Sequence, residues 1–149
     1  MPRRSESFAA VYLETSAVLR AVLESGTARA IERRIARASA LVTSRLSLVE
    51  ASRALHRLRR TGAATETQLA DAARTLDALW ARCEIWELTP GVCDLAAQIA
   101  PDHPLRTLDA LHVATYLLAR RRLGEVDLLT ADRRVADAAG VPLDEERES

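Results

Sequence analysis

FAAVYL, residues 8–13, runs directly into the polar triplet Glu14, Thr15 and Ser16. Six apolar residues are too few for a free-standing helix, and the abrupt change to polar side chains marks the end of a short strand. From Ser16 the pattern turns helical through Leu23. The expected unit is therefore a strand that ends on an acid and hands over to a helix.

The same alternation continues along the chain. Gly26 and Thr27 punctuate it before a second helix over 28–38, with Arg33, Arg34 and Arg37 facing outward, and 41–43 gives a minimal second strand. Ser44 or Ser47 can cap the next helix, in which Leu48, Ala51, Leu55 and Leu58 recur at helical spacing until Gly62 stops it. Thr65 with Gln68 forms a capping-box pattern that opens a further helix carrying Leu69, Ala72, Leu76 and Leu79 on one face. Together these predict a long helical hairpin. Residues 84–88 (EIWEL) alternate like a strand, and Thr89 with Pro90 opens a short helix that ends before Pro101. PDHPLRT is a loop by its two prolines, after which 108–122 reads as a strong helix ending at Gly124. Residues 127–130 supply another strand, Asp132 begins a short helix to Ala139, and 141–143 can add an edge strand.

Strands alternating with helices predict an α/β fold: a parallel sheet covered on both faces and joined by right-handed crossovers. Ligands of such sheets gather outside the carboxyl ends of the strands, where the strand order reverses. A chain of 149 residues with 48% hydrophobic content suits one domain, expected over 8–143, with flexible tails at 1–7 and 144–149.

Composition excludes several chemistries. Net charge is zero, and all 21 basic residues are arginine. A P-loop, a Schiff-base enzyme and a standard phosphoacceptor receiver each use a lysine this chain lacks. Cys83 and Cys93 are too far apart for a C-x-x-C redox or zinc pattern and too few for a disulfide framework. No apolar run approaches the roughly 18 residues of a membrane span, and Met1 to Ser7 precede no signal-type core, so a cytoplasmic location is expected.

Four acids stand out, Glu14, Glu50, Asp109 and Asp132: three fall where a strand has just ended or a helix has just begun, and the fourth lies one turn into a helix. Three have ordinary local explanations. Glu50 fits a capping box with Ser47, Asp109 lies in the first turn after a Thr107 cap, and Asp132 can itself be an N-cap. Glu14 is harder to assign locally, because glutamate is a poor N-cap beside Thr15 or Ser16. A parallel α/β fold brings these positions toward one edge. Carboxylates crowded there either raise a pKa or recruit a cation, and an all-oxygen set suits Mg²⁺ or Mn²⁺. Such an ion activates water and neutralises phosphate charge, which is the chemistry of phosphodiester hydrolysis.

Four stretches in order, YLETSAVL, SRLSLVEASRAL, LRTLDALHVATYLLARR and VDLLTADRRVADAAGV, resemble the four blocks of a PIN domain. The resemblance covers Val11 to Leu143 and is strongest to small bacterial ribonuclease toxins of the VapC type. It implies a three-layer α/β/α sandwich with a small central parallel sheet, and a metal-dependent endoribonuclease acting as the toxin of a toxin–antitoxin system. Carried over by position, the catalytic and metal-binding acids are Glu14, Glu50, Asp109 and Asp132. Thr15, Ser16 and Thr130 would orient carboxylates or water, although Ser16 also has a plain helix-cap reading. The implied cofactor is Mg²⁺ or Mn²⁺ and the implied partners are RNA, a cognate antitoxin covering the hairpin between Leu48 and Leu79, and a second copy in a homodimer.

The sequence departs from the family at its first acid, where aspartate is usual and Glu14 stands. Retained activity is the reading adopted, since the charge and the oxygen ligands survive; the alternative is a PIN-fold RNA-binding protein with impaired turnover. A phosphatase or phosphotransferase would need an aspartyl nucleophile after the first strand, which Glu14 does not supply. His112, one helical turn after Asp109, reads first as a packing residue and second as a site contact. Arg53, Arg57 and Arg60 share a helical face, and Arg133 and Arg134 flank the last acid; either set could guide phosphates, with solvated surface as the simpler explanation.

Overall fold

The computed structural model describes residues 9–143; the tails expected at 1–7 and 144–149 lie outside the described residues. Its elements are β1 (Ala10–Leu13), α1 (Thr15–Leu23), α2 (Arg29–Arg37), β2 (Leu41–Ser44), α3 (Arg45–Thr61), α4 (Glu66–Ala81), β3 (Cys83–Trp86), α5 (Pro90–Ala96), α6 (Thr107–Leu123), β4 (Val126–Leu129) and α7 (Arg133–Ala139). The four strands form one sheet of order β3-β2-β1-β4, and every neighbouring pair is parallel.

Alternate residues of the strands feed two separate cores. Val11, Leu13 and Leu41 face α1 to α4, where they pack with Val18, Ile31, Ala51 and Leu76. Tyr12, Val42 and Leu128 face the other way, onto Val113, Tyr116 and Ala119 of α6 and Val135 of α7. α5 packs against α6, completing that layer. Three layers result, α/β/α. Burying a strand leucine such as Leu128 or Leu129 contributes about 2 kcal/mol, so both sides of the sheet hold it in place. β1, β2 and β4 are nearly continuously buried, as expected of parallel strands covered twice, whereas β3 is only half-buried and forms one edge.

Local signals set the element ends. Thr65 and Gln68 form the predicted capping box at α4, and Gly62 ends α3 in the left-handed region at φ 69°. Ser44, not Ser47, caps α3, its hydroxyl accepting from Leu46 N; Ser47 instead accepts a bond from Thr43. That removes the expected capping box between Ser47 and Glu50. β3 starts at Cys83 and stops at Trp86, so the strand lies earlier than the expected 84–88.

The edge strand expected at 141–143 is not formed. Pro142 has no N–H to give a ladder, and Val141 spends its own on the Ala136 carbonyl at the end of α7. The apolar faces of the hairpin are also less available than the sequence suggested. Ala51, Ala54, Leu69, Ala72, Leu76 and Leu79 are buried within the fold, leaving Val49, at 55% exposure, as the large apolar side chain open on α3.

Candidate active site

The strand order reverses at β1, since the chain steps outward from β1 to β2 and β3 and then returns to place β4 on the other side of β1. In open α/β sheets that reversal puts a ligand site at the carboxyl ends of the two diverging strands. Glu14 follows β1 there, and Thr130 with Asp132 follows β4. The backbone ties them: Glu14 N donates to Leu129 O at 3.0 Å.

Glu14 is itself the N-cap of α1, a role its residue type does not favour. Its Oε2 accepts from Ser16 N at 3.1 Å, from Thr130 Oγ1 at 2.8 Å and from the Ser16 hydroxyl. Ser16 Oγ accepts in turn from Ala131 N at 2.9 Å, and Thr130 Oγ1 accepts from Asp132 N at 3.0 Å. Tertiary partners thus override the capping preference. The helix-cap reading of Ser16 gives way to one in which its hydroxyl bridges the ends of β1 and β4. Glu14 is only 5% exposed, yet its Oε1 takes no hydrogen bond from the described residues and is not sealed from solvent.

Beside Glu14, Thr15 belongs to a second network. Its hydroxyl donates to Glu50 Oε1 at 2.8 Å, and His112 Nε2 lies 2.6 Å from the same oxygen and 3.1 Å from Thr15 Oγ1. On its other side the imidazole meets the Tyr12 hydroxyl at 2.9 Å through Nδ1. Burial raises the Glu50 pKa, but the hydrogen bond and charge interaction with His112, the Thr15 hydroxyl and the Arg57 charge outweigh it, and the net shift is downward. Burial first and the Glu14 charge second hold the Tyr12 phenol well above its usual range, so its O–H stays intact. His112, read from sequence first as packing, is buried at 1% exposure but carries hydrogen bonds on both ring nitrogens.

The remaining two acids are engaged locally. Asp132 caps α7, with Oδ1 accepting from Arg134 N at 2.9 Å and Oδ2 lying 3.5 Å from the Arg134 guanidinium. Asp109 sits at the third position of α6 and reaches back to the Arg106 N–H at 3.4 Å. The N-cap of α6 is Arg106, not Thr107. Asp109 is one turn ahead of His112, which places it at the same end of the sheet.

All four acids therefore lie toward the carboxyl edge, and the networks join Glu14 to the end of β4 and Glu50 to Thr15. Among the described residues, no three acidic, histidine or cysteine side chains are gathered within reach of one ion. The donor chemistry nonetheless suits a hard cation. Carboxylate and hydroxyl oxygens dominate, the one histidine present is occupied on both nitrogens, and Glu14 Oε1 and Glu50 Oε2 accept no hydrogen bond from the described residues. Mg²⁺ keeps several waters and takes only one or two direct carboxylates, so open carboxylate oxygens are ligands of the type it uses.

A profile of the PIN domain matches residues 11–141. Ribonuclease VapC45 of Mycobacterium tuberculosis is 39% identical over 106 residues, covering 68% of this chain and 71% of that protein. Among solved structures, PAE2754 from Pyrobaculum aerophilum superposes with a TM-score of 0.66 at 21% identity, over 94% of this chain and 87% of that one. A toxin–antitoxin complex from Klebsiella pneumoniae gives 0.63 at 18% identity, over 90% of this chain and 97% of that one. The chain belongs to the PIN domain family, and within it to the VapC type.

Tyr12 is the residue that sequence reading passed over. It sits inside the apolar run FAAVYL, where a tyrosine reads as one more strand side chain. A faint signal was present: a fully buried phenol requires a hydrogen-bond partner, and His112 was one of few buried candidates.

Proposed function

We propose that this protein is a divalent-metal-dependent endoribonuclease and the toxin of a toxin–antitoxin pair, with Glu14, Glu50, Asp109 and Asp132 as its acids. The observation that carries the reading is the seating of Glu14. A glutamate 5% exposed, held by hydroxyls from two strand ends while one oxygen stays open, is an expensive arrangement for a helix cap and a useful one for a ligand.

Glu14 and Glu50 would hold Mg²⁺ or Mn²⁺ through their open oxygens, with Asp109 and Asp132 completing the acidic surround directly or through water. When bound, the ion would supply electrophilic stabilisation of phosphate charge and a more acidic water. The protein's own contribution is orientation. Thr15, Ser16 and Thr130 fix the carboxylates, and His112 and Thr15 help keep Glu50 ionised, as a cation ligand must be.

RNA as the substrate is supported by the face of α3 that continues from Glu50. Arg53, His56, Arg57 and Arg60 line a recess of about 420 Å³. Arg45 and Arg59 are tied to Glu87 and Glu66, whereas Arg53, Arg57 and Arg60 form no ion pair among the described residues. Free guanidinium groups along one helix suit a phosphate backbone. A cognate antitoxin and a second copy are the expected partners, with Val49 and the groove edged by Leu23 and Leu58 as the apolar surface left to them.

The deciding experiment incubates structured RNA with the purified protein in Mg²⁺, in Mn²⁺ and in EDTA, beside the Asp109→Asn variant. Cleavage with either ion, lost in EDTA and in the variant, is expected. Cleavage that persists in EDTA removes the metal, and metal binding without any cleavage by the wild type removes the enzyme.

A further inference from the structure

We propose that Tyr12 and His112 are positioning residues, a buried relay that fixes Glu50 Oε1 so that Oε2 alone is presented to the carboxyl edge of the sheet. The inference rests on the reading of Glu50 as a working acid.

Four elements meet in this relay. Tyr12 comes from β1, Thr15 from α1, Glu50 from α3 and His112 from α6. The contacts span 35 to 100 residues of chain, and Tyr12, Thr15 and His112 are buried. An ionised carboxylate only accepts hydrogen bonds, so the imidazole nitrogen facing it must carry the proton. Nε2–H therefore points at Oε1 from 2.6 Å, with the Thr15 hydroxyl as a second donor at 2.8 Å. The ring cannot turn away, because Nδ1 is held by the Tyr12 hydroxyl and Tyr12 is itself wedged edge-on against both His112 and Tyr116, at 6.1 Å between ring centroids.

A packing histidine would not explain this geometry. Satisfying the buried phenol needs only Nδ1; reaching across to α3 with Nε2 adds nothing to that task. Glu50 is a long side chain on an otherwise open helix face, and such a side chain populates several rotamers unless something selects one. Two donors on the same oxygen make that selection, and Oε2 is left without a hydrogen bond from the described residues. Outer partners of this kind are what set the orientation of a metal-facing carboxylate.

The test compares His112→Leu, His112→Gln and Tyr12→Phe with the wild type. Readouts are kcat and KM for RNA cleavage, Mn²⁺ affinity by calorimetry without RNA, and thermal melting. His112→Leu is expected to lose about 10- to 100-fold in both kcat and Mn²⁺ affinity, with a far smaller change in KM. His112→Gln, whose side-chain amide can donate to Glu50, is expected to recover most of that loss, and Tyr12→Phe to lose about tenfold or less.

Wild-type kcat and Mn²⁺ affinity in a folded His112→Leu protein overturn the relay, as does a folded glutamine variant no better than leucine. If the leucine variant does not fold, ¹⁵N imidazole spectra of the wild type and of Tyr12→Phe decide the matter. A proton resident on Nε2 and a Tyr12-dependent Nδ1 shift support it; a proton resident on Nδ1 alone sinks it. Glu50→Gln separates this failure from that of the site. An active Glu50→Gln protein removes Glu50 from the chemistry, whereas an inactive one beside a fully active His112→Leu removes only the relay.

Discussion

Thr130 Oγ1 donates to Glu14 Oε2 at 2.8 Å, joining the end of β4 to the end of β1 across 116 residues of chain. The bond is buried and one partner is a carboxylate, so losing it leaves a desolvated acceptor short of a donor. Thr130→Val keeps the shape and removes the hydroxyl. It is expected to cost about 1.5–3 kcal/mol of stability and to lower RNA cleavage more than melting temperature alone explains. Denaturant titration with parallel kinetics checks this, and an unchanged midpoint would count against the seat described for Glu14.

Shortening the first acid reads out its fit. The three donors on Glu14 Oε2 come from positions fixed by two strand ends, and an aspartate would withdraw the carboxylate by roughly a bond length. Displacement of about 1 Å in a positioned group costs on the order of 100-fold, so Glu14→Asp is expected to cut at one-tenth to one-hundredth of the wild-type rate. A faster Glu14→Asp protein would mean that glutamate impairs the native enzyme.

Salt dependence tests the basic face of α3. Arg57 is left in place because its charge acts on Glu50, and Arg53 and Arg60 are changed together to glutamine. If both contact phosphates, the slope of log affinity against log salt for a single strand becomes shallower by about 1.4, at roughly 0.7 per contact. Fluorescence anisotropy with labelled RNA in EDTA measures it between low and moderate salt. An identical slope in the double variant places the strand elsewhere.

Acidification tests the charge on Glu50. Its pKa in the folded protein lies below the ordinary 4.5, despite burial, because of His112, Thr15 and Arg57. A group depressed on folding contributes its full stability above the unfolded value and loses it as pH falls through the folded one. Wild-type stability should therefore decline more steeply below about pH 4.5 than that of Glu50→Gln, while at pH 7 the variant is the weaker of the two. Urea midpoints from pH 7 down to pH 3 give the comparison, and parallel curves would refute the assignment.

The elements were readable because their signals are local. Thr65 with Gln68, Gly62 and the strand-to-acid step at Leu13–Glu14 each act within a few residues, and each appears where the pattern placed it. The expectations that failed were also local ones, overridden in some cases from a distance and in others by a competing partner a few residues away. Glu14 is a cap because Thr130 and Ser16 make it one, and Ser47 bonds to Thr43 rather than opening α3. His112 and Tyr12 looked like core in isolation, and only the packing of α6 against β1 shows what they touch. The acids themselves were named from residue type and block spacing, but no periodicity in the chain could say which oxygen of Glu50 would be left open.

The position of β1 at the middle of the sheet has a consequence during synthesis. β1 is made before the neighbour that completes one of its two sides and before the hydroxyl that seats Glu14, both of which come more than a hundred residues later. At about 5–20 residues per second, the growing chain spends several seconds with that side of the strand unpaired. The second side of β1 and the seat of Glu14 are therefore completed only when the last strand has been made.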